Sequence, residues 1–432
     1  MMLERPLLLL LSLMLCSCAA QPGEGAVPGH CSDGADNDAD GTYDCSDSDC
    51  LSSPDCLGDD DDDTAGEDDT AGDDDTADDD DTADDDDTAD DDDTADDDDT
   101  ADDDDDAGGP LEGLVYTGDV VFLSDADMAS FCESWDQIAG NVTIAGAAVT
   151  SLSALACLKR VDGLVEVTGT EVLDLELPSL VEVGGDLLIY DNYPLGGIEL
   201  LALRFVAGSL KVEEQPWLDE LRLPELSSVG ADMHLQQLAF LATVELPLLA
   251  SVGESLWLRY IEIAESFELD ALQSVGADLW LSGNPVLQHI SWPELLSVGG
   301  ELMVSAHPLL AHVDLPVLGA AGGLRINSNA ALVSFALPQL EEMLGLPGSL
   351  RLSSCDVLEL FELPALEFIG DFLMVAGNVS LTQLNLPSLG FVGGDFYILD
   401  NSSLTAESAE ALRDSIGVWN IGGTVVISGN GN

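Results

Sequence analysis

Beyond about residue 170 the chain repeats one hydrophobic pattern every 23 residues or so. Pro178, Pro224, Pro247, Pro293 and Pro316 mark the interval, Leu201 and Asp270 fill its gaps, and Pro338, Pro364 and Pro387 continue it after small length changes. A Leu follows two residues after each mark, as at Leu180, Leu226 and Leu295. Segments such as VGGDLLI (183–189) and VGGDFYI (392–398) come next, and from there apolar and other residues alternate. One column of the alternation reads Leu187, Leu210, Met233, Leu256, Leu279, Leu302, Leu324, Leu350, Leu373, Phe396. The next reads Ile189, Val212, Leu235, Leu258, Leu281, Val304, Ile326, Leu352, Val375, Ile398. A strict period of two predicts strands with one buried face. A second short strand is predicted just before each Pro, with inward pairs such as Leu221/Leu223 and Val244/Leu246. A single repeat cannot bury its own apolar face, so successive turns must stack. The predicted fold is all-β: a right-handed parallel β-solenoid over residues 111–432.

Asn192, Asn284, Asn329, Asn378 and Asn401 share one turn position, with His307 and Cys355 in the same place. Polar side chains there can bond the turn backbone or stack as a ladder. Cys355 reads as a small buried residue rather than a nucleophile. Residues 405–416 predict a short capping helix, with Thr405 and Ser408 as rival N-caps. A cap is needed because a bare solenoid end exposes sheet and core edges.

Two outward columns carry the candidate chemistry. The second strand presents Glu176, Glu199, Glu245, Glu268, Asp314 and Glu362, interrupted by Arg222. Stacked carboxylates can raise one another's pKa and could serve acid–base chemistry. A column that regular is more simply a solvated face that keeps a sheet unpaired. The first strand presents Leu188, Lys211, His234, Trp257, Trp280, Met303, Arg325, Arg351, Met374 and Tyr397, with Tyr190 and Arg259 two residues further along. Exposed Trp beside cations is what binding surfaces enrich, so Lys211, His234, Trp257, Arg259, Trp280, Arg325 and Arg351 are the candidate ligand-binding residues. The alternative is that a loop or an acidic segment covers this stripe. His289 and His312 lie one turn apart and could approach a metal, or be plain surface residues. No G-x-S-x-G, H-E-x-x-H, P-loop or dinucleotide motif occurs.

Charge changes the picture upstream. The chain carries 85 Asp and Glu against 10 Lys and Arg, a net charge of −75, which argues against a nucleic-acid partner. Much of this charge lies in residues 58–110, where Thr64, Thr70, Thr76, Thr82, Thr88, Thr94 and Thr100 recur among runs of Asp. Nothing there is large enough to bury, so a disordered acidic linker is predicted, stretched by self-repulsion to as much as roughly 100 to 160 Å.

The chain begins MMLERPLLLLLSLMLCSCAAQPG. The apolar run 7–15 is too short to span a bilayer and fits a secretion signal over residues 1–17. LCSC (15–18) resembles the lipobox of bacterial lipoproteins, which implies cleavage before Cys18, acylation of that Cys and a tether over 18–30. An ordinary secretory signal cut near Ala19 or Ala20 is the alternative. Ala19, after the Cys, favours the outer membrane or cell surface. Residues 31–57 form a small module in which Asp36, Asp38, Asp40, Asp44 and Asp47 alternate around Gly41. Alternating carboxylates in a tight turn suit calcium, the one cofactor expected. The pattern resembles the calcium loops of thrombospondin type 3 repeats, although no helices flank it and its twelfth position is Asp, not Glu. Cys31, Cys45, Cys50 and Cys56 are expected to form two disulfides of undetermined pairing, with zinc on the four Cys as the competing reading.

The LP-x-L-x-x-VGG-x-L repeat, FCESWDQIAGNVTIAG (131–146) and LTAESAEALRDSIGVWNIGGTVVISGN (404–430) resemble the receptor L domain, the leucine-rich solenoid of growth-factor receptor ectodomains, found also in microbial surface proteins. Cys132 and Cys157 are expected to pair near the N-terminal cap. The resemblance implies ligand binding and names no ligand. The expected function is a lipid-anchored surface protein presenting a solenoid that recognises a protein or glycan, with the membrane as partner through its anchor. The alternatives are a carbohydrate-active solenoid enzyme, a lyase or hydrolase, and a structural coat protein without a specific ligand.

Overall fold

The computed structural model describes residues 113–432 apart from 344, 346 and 347. Cys18, the Asp36, Asp38, Asp40, Asp44 and Asp47 loop, the four cysteines beside it and the acidic tract lie outside the described residues. Those described form a parallel β-solenoid of about 12 turns.

The alternation in the sequence becomes the ladder. Leu187, Leu210, Met233, Leu256, Leu279, Leu302, Leu324, Leu350, Leu373 and Phe396 pair in parallel register, turn on turn. All are buried, as is the next inward column from Ile189 to Ile398. Each buried Leu contributes about 1.5–3 kcal/mol relative to leaving it exposed. The second strands form two smaller parallel sheets, one of four strands and one of five. Leu175, Ile198, Leu221 and Val244 point inward from the first of these, and Ile290, Val313, Phe335 and Phe361 from the second. Core therefore fills the space between the ladder and these sheets.

Where the chain bends between a short strand ending in Val and the ladder strand, glycines stack. A β-carbon on Gly253, Gly276 or Gly299 would run into the carbonyl oxygen of the glycine one turn earlier. Asp162 and Ala207 hold the same place nearer the N-terminus, following Val161 and Val206 of their short strands, so the requirement is local.

Polar columns tie one turn to the next. Asn192, Asn284, Asn329, Asn378 and Asn401 are fully buried. Each reaches back one turn: the Nδ2 groups donate to the carbonyls of Val167, Leu258, Val304, Leu352 and Val375. Their Oδ1 atoms accept the backbone N–H of Thr170, Ile261, His307, Cys355 and Asn378 in the preceding turn. Asn430 does the same for Ile398 and Asn401. Just before this column the chain turns left-handed. Asp191, Glu214, Tyr260, Ala306, Ser328 and Asp400 all have φ between 54° and 60°. Left-handed backbone costs a non-glycine residue about 1–2 kcal/mol, which the buried amide bonds that follow can offset. A second column lies on the other side of the strand. The Oδ1 atoms of Asp186, Asp232, Asp278 and Asp395 accept the N–H of Ser209, Ser255, Glu301 and Thr424, each one turn on.

Both ends carry distinct structure. Cys132 and Cys157 are disulfide-bonded. A one-turn helix, Asp125–Met128, was not expected from the sequence. The Asp125 carboxylate accepts from Thr150 and Ser151, and these bonds lower its pKa. At the other end the helix Ala406–Ile416 buries Ala409, Leu412 and Ile416 along one face. Thr405 is its N-cap, accepting the Ser408 N–H at 3.1 Å, so the rivalry with Ser408 resolves in favour of Thr405.

Candidate ligand-binding face

The stripe proposed from sequence is one continuous row. Lys211, His234, Trp257, Trp280, Met303, Arg325, Arg351, Met374 and Tyr397 occupy the same outward register on successive ladder strands. Its side chains are less exposed than the sequence suggests. In-register parallel strands lie roughly 4.8 Å apart, close to the thickness of stacked rings. His234 stacks on Trp257 with centroids 4.0 Å apart, and Trp257 on Trp280 at 5.0 Å, both at 8° between planes. Both indoles are half-buried and His234 is buried. The faces of Trp257 are therefore occupied by its neighbours, and what the row offers outward is ring edges. A sugar cannot lie flat on Trp257 as on an isolated Trp; it would meet a rim of C–H groups.

The cations divide into two groups. Lys211 pairs with Asp232 at 3.5 Å, and Arg325 Nε donates to Glu301 at 2.9 Å. Arg259 lies beside the indole stack instead, its guanidinium carbon 5.4 Å from the Trp257 centroid and 5.7 Å from that of Trp280. Arg351 sits 5.2 Å over Phe372. Neither has a carboxylate within ion-pair distance among the described residues. His234 faces Glu213 at 3.4 Å, Asp232 at 3.9 Å and the Lys211 column beside it. Burial, then Lys211, holds its pKa below the usual histidine value, so it is neutral at pH 7.

A second outward column, of which the sequence reading singled out only Tyr190 and Arg259, completes the face. Two residues along the same strands lie Gln236, Arg259, Ser282, Ser305, Asn327, Ser353 and Ala376, again in register. Its signal in the sequence was plain but negative. From His234 to Met374 and from Gln236 to Ala376 the two columns contain no Asp or Glu, in a chain with 85 of them.

The other candidates look different. In the acidic column Arg222 lies between Glu199 and Glu245, at 3.4 and 3.0 Å, with Glu220 at 3.5 Å. These are half-exposed surface pairs, each worth about 0–1 kcal/mol. His289 and His312 face each other in register, and His312 Nδ1 bonds Ser334 Oγ at 2.8 Å. Among the described residues no three His, Cys, Asp or Glu are grouped to hold a metal ion. Burial raises the Cys355 thiol to about 11, which leaves it protonated and unreactive at neutral pH. His307, in the Asn column, is also held neutral by burial. A cleft of about 480 Å³ lies between the C-terminal helix and Gln383–Asn385, lined in part by Thr382, Gln383, Asn385 and Ser415.

Comparison with protein-family models, with curated proteins and with solved structures finds no match to this chain.

Proposed function

We propose that the protein is a cell-surface lipoprotein whose solenoid recognises a ligand through the two-column face that runs from His234 to Ala376. The observation that carries this reading is the exclusion of carboxylates from that face in so acidic a chain. Both columns stay clear of Asp and Glu over seven successive strands, while the flanking column holds Asp232, Asp278 and Glu301. Receptor L domain-like solenoids hold ligands, and the LCSC motif and the acidic tract fit an anchor and a spacer that place the solenoid away from a membrane.

Two measurements test this. Trp257→Ala with Trp280→Ala is expected to weaken retention on target cells or glycans by about 30-fold, the equivalent of about 2 kcal/mol, as loss of central aromatic anchors does. Because the rings stack, the same pair is also expected to lower stability by about 1–3 kcal/mol. Binding that persists at wild-type strength in the folded double variant would move the site elsewhere on the molecule. For the anchor, Cys18→Ser is expected to shift the protein from the detergent phase to the aqueous phase. Unchanged partition would refute acylation at Cys18.

A further inference from the structure

Taking the recognition face above as given, we infer that its ligand is a linear polysaccharide carrying carboxylate or sulfate groups, lying along the solenoid axis. Three features of the face point to this class.

The first is unmatched positive charge. Arg259 and Arg351 are half-buried and are held beside Trp257 and over Phe372, with no carboxylate within ion-pair distance among the described residues. Arg160, Lys211, Arg222 and Arg325 all have acidic partners; Arg204 has none among the described residues, but it is exposed and lies outside the two columns. In a chain of net charge −75, two half-buried guanidiniums on one face without carboxylates mark places where an anion from outside is accommodated. Their turns are four ladder steps apart, about 19 Å. One compact anion cannot reach both; an extended polymer can.

The second is width. The two columns are two residues apart along each strand, about 6.6 Å. That suits a single extended chain and is too narrow for an α-helix, about 10–12 Å across with its side chains.

The third is the hydrogen-bonding character between the two arginines. Half-buried Ser282, Asn327 and Ser353 line that stretch, in register with the buried Ser305. Hydroxyl and amide groups both donate and accept, and so do sugar hydroxyls. An extended peptide is a poorer fit. It would lie across the face of the sheet, where the ladder's own N–H and C=O groups are already paired, and its main chain would find few partners. The Trp257 and Trp280 edges supply the apolar contact that the C–H faces of sugar rings use.

The test is a binding panel with the full chain. Polygalacturonate, alginate and heparin are the acidic probes, dextran and cellulose the neutral ones, and a synthetic Asp-Thr-Ala repeat peptide represents the chain's own acidic tract. The expected result is binding to at least one acidic polysaccharide, weakened by added salt. Arg259→Gln with Arg351→Gln is expected to reduce it at least tenfold, while Arg222→Gln, on the other sheet, leaves it unchanged. Equal binding to neutral polymers that is lost in the tryptophan variant would overturn the anionic inference and leave the recognition face standing. Binding only to the peptide, or to no polysaccharide, would overturn the inference as well. Acidic-polymer binding unchanged in both the arginine and the tryptophan variants would overturn the inference and the face together.

Discussion

Replacing Gly276 with valine is expected to destabilise the solenoid by about 3 kcal/mol, seen as a lower urea midpoint. Gly276 is not in the core; it lies at the outer bend between Ser274–Val275 and Leu279–Ser282. Its constraint comes from the turn before. A β-carbon there would collide with the carbonyl oxygen of Gly253, and Gly299 makes the same demand on Gly276. Backbone cannot swing aside as a flexible side-chain tip can. To admit valine, adjacent turns would have to part, which strains the ladder bonds on both sides. The native chain supplies a control. Ala207 occupies the equivalent place where the path has room, so Ala207→Gly is expected to change stability by less than about 1 kcal/mol. A wild-type midpoint for Gly276→Val would show that turn-to-turn spacing at this bend is not fixed.

Asn378→Ala is expected to have an effect of similar size, also about 3 kcal/mol, through lost bonds rather than a collision. Asn378 is fully buried. Its Oδ1 accepts the Cys355 N–H at 3.0 Å, and its Nδ2 donates to Leu352 at 3.2 Å and to Asn401 Oδ1 at 3.1 Å. Alanine leaves the Cys355 N–H and the Leu352 carbonyl buried without their partner, and each orphan costs about 1–3 kcal/mol. Hydrogen exchange reads this locally: the Cys355 amide should lose protection before the distant turns do. A protected Cys355 amide and an unchanged midpoint in the variant would mean that the column is decorative.

These two cases show where the sequence was legible. The inward columns could be read residue by residue because burial tolerates only a few side chains and the period of two exposes them. The Asn column could be read because one residue type recurs. Asn430 extends it and was missed because the repeat changes length there; Gln215 takes the same place but bonds only the Glu213 carbonyl of its own turn. The Asp186, Asp232, Asp278 and Asp395 column was also missed. In so acidic a chain an Asp at a regular place looks like surface, and only the bond to the next turn's N–H sets it apart. The candidate face was half legible. Its aromatic and cationic residues stood out by type, whereas the Ser and Asn column beside them is ordinary in composition and significant only by position. How far Trp257 is exposed could not be read at all, because stacking depends on the spacing between turns, which no single turn encodes.

The direction in which the Asn side chains reach has a consequence for how the protein is made. Every one of them closes the turn before its own: Asn192 serves Thr170, Asn401 serves Asn378, and Asn430 serves Asn401. A chain that emerges with its N-terminus first therefore leaves each turn that an Asn serves open until the following turn arrives. Asn430 supplies the last of these locks among the described residues. The Asp column runs the other way, each Asp serving the turn after its own, so loss of Asn430 unlocks the turn that holds Asn401 while loss of Asp186 leaves the Ser209 N–H without its partner.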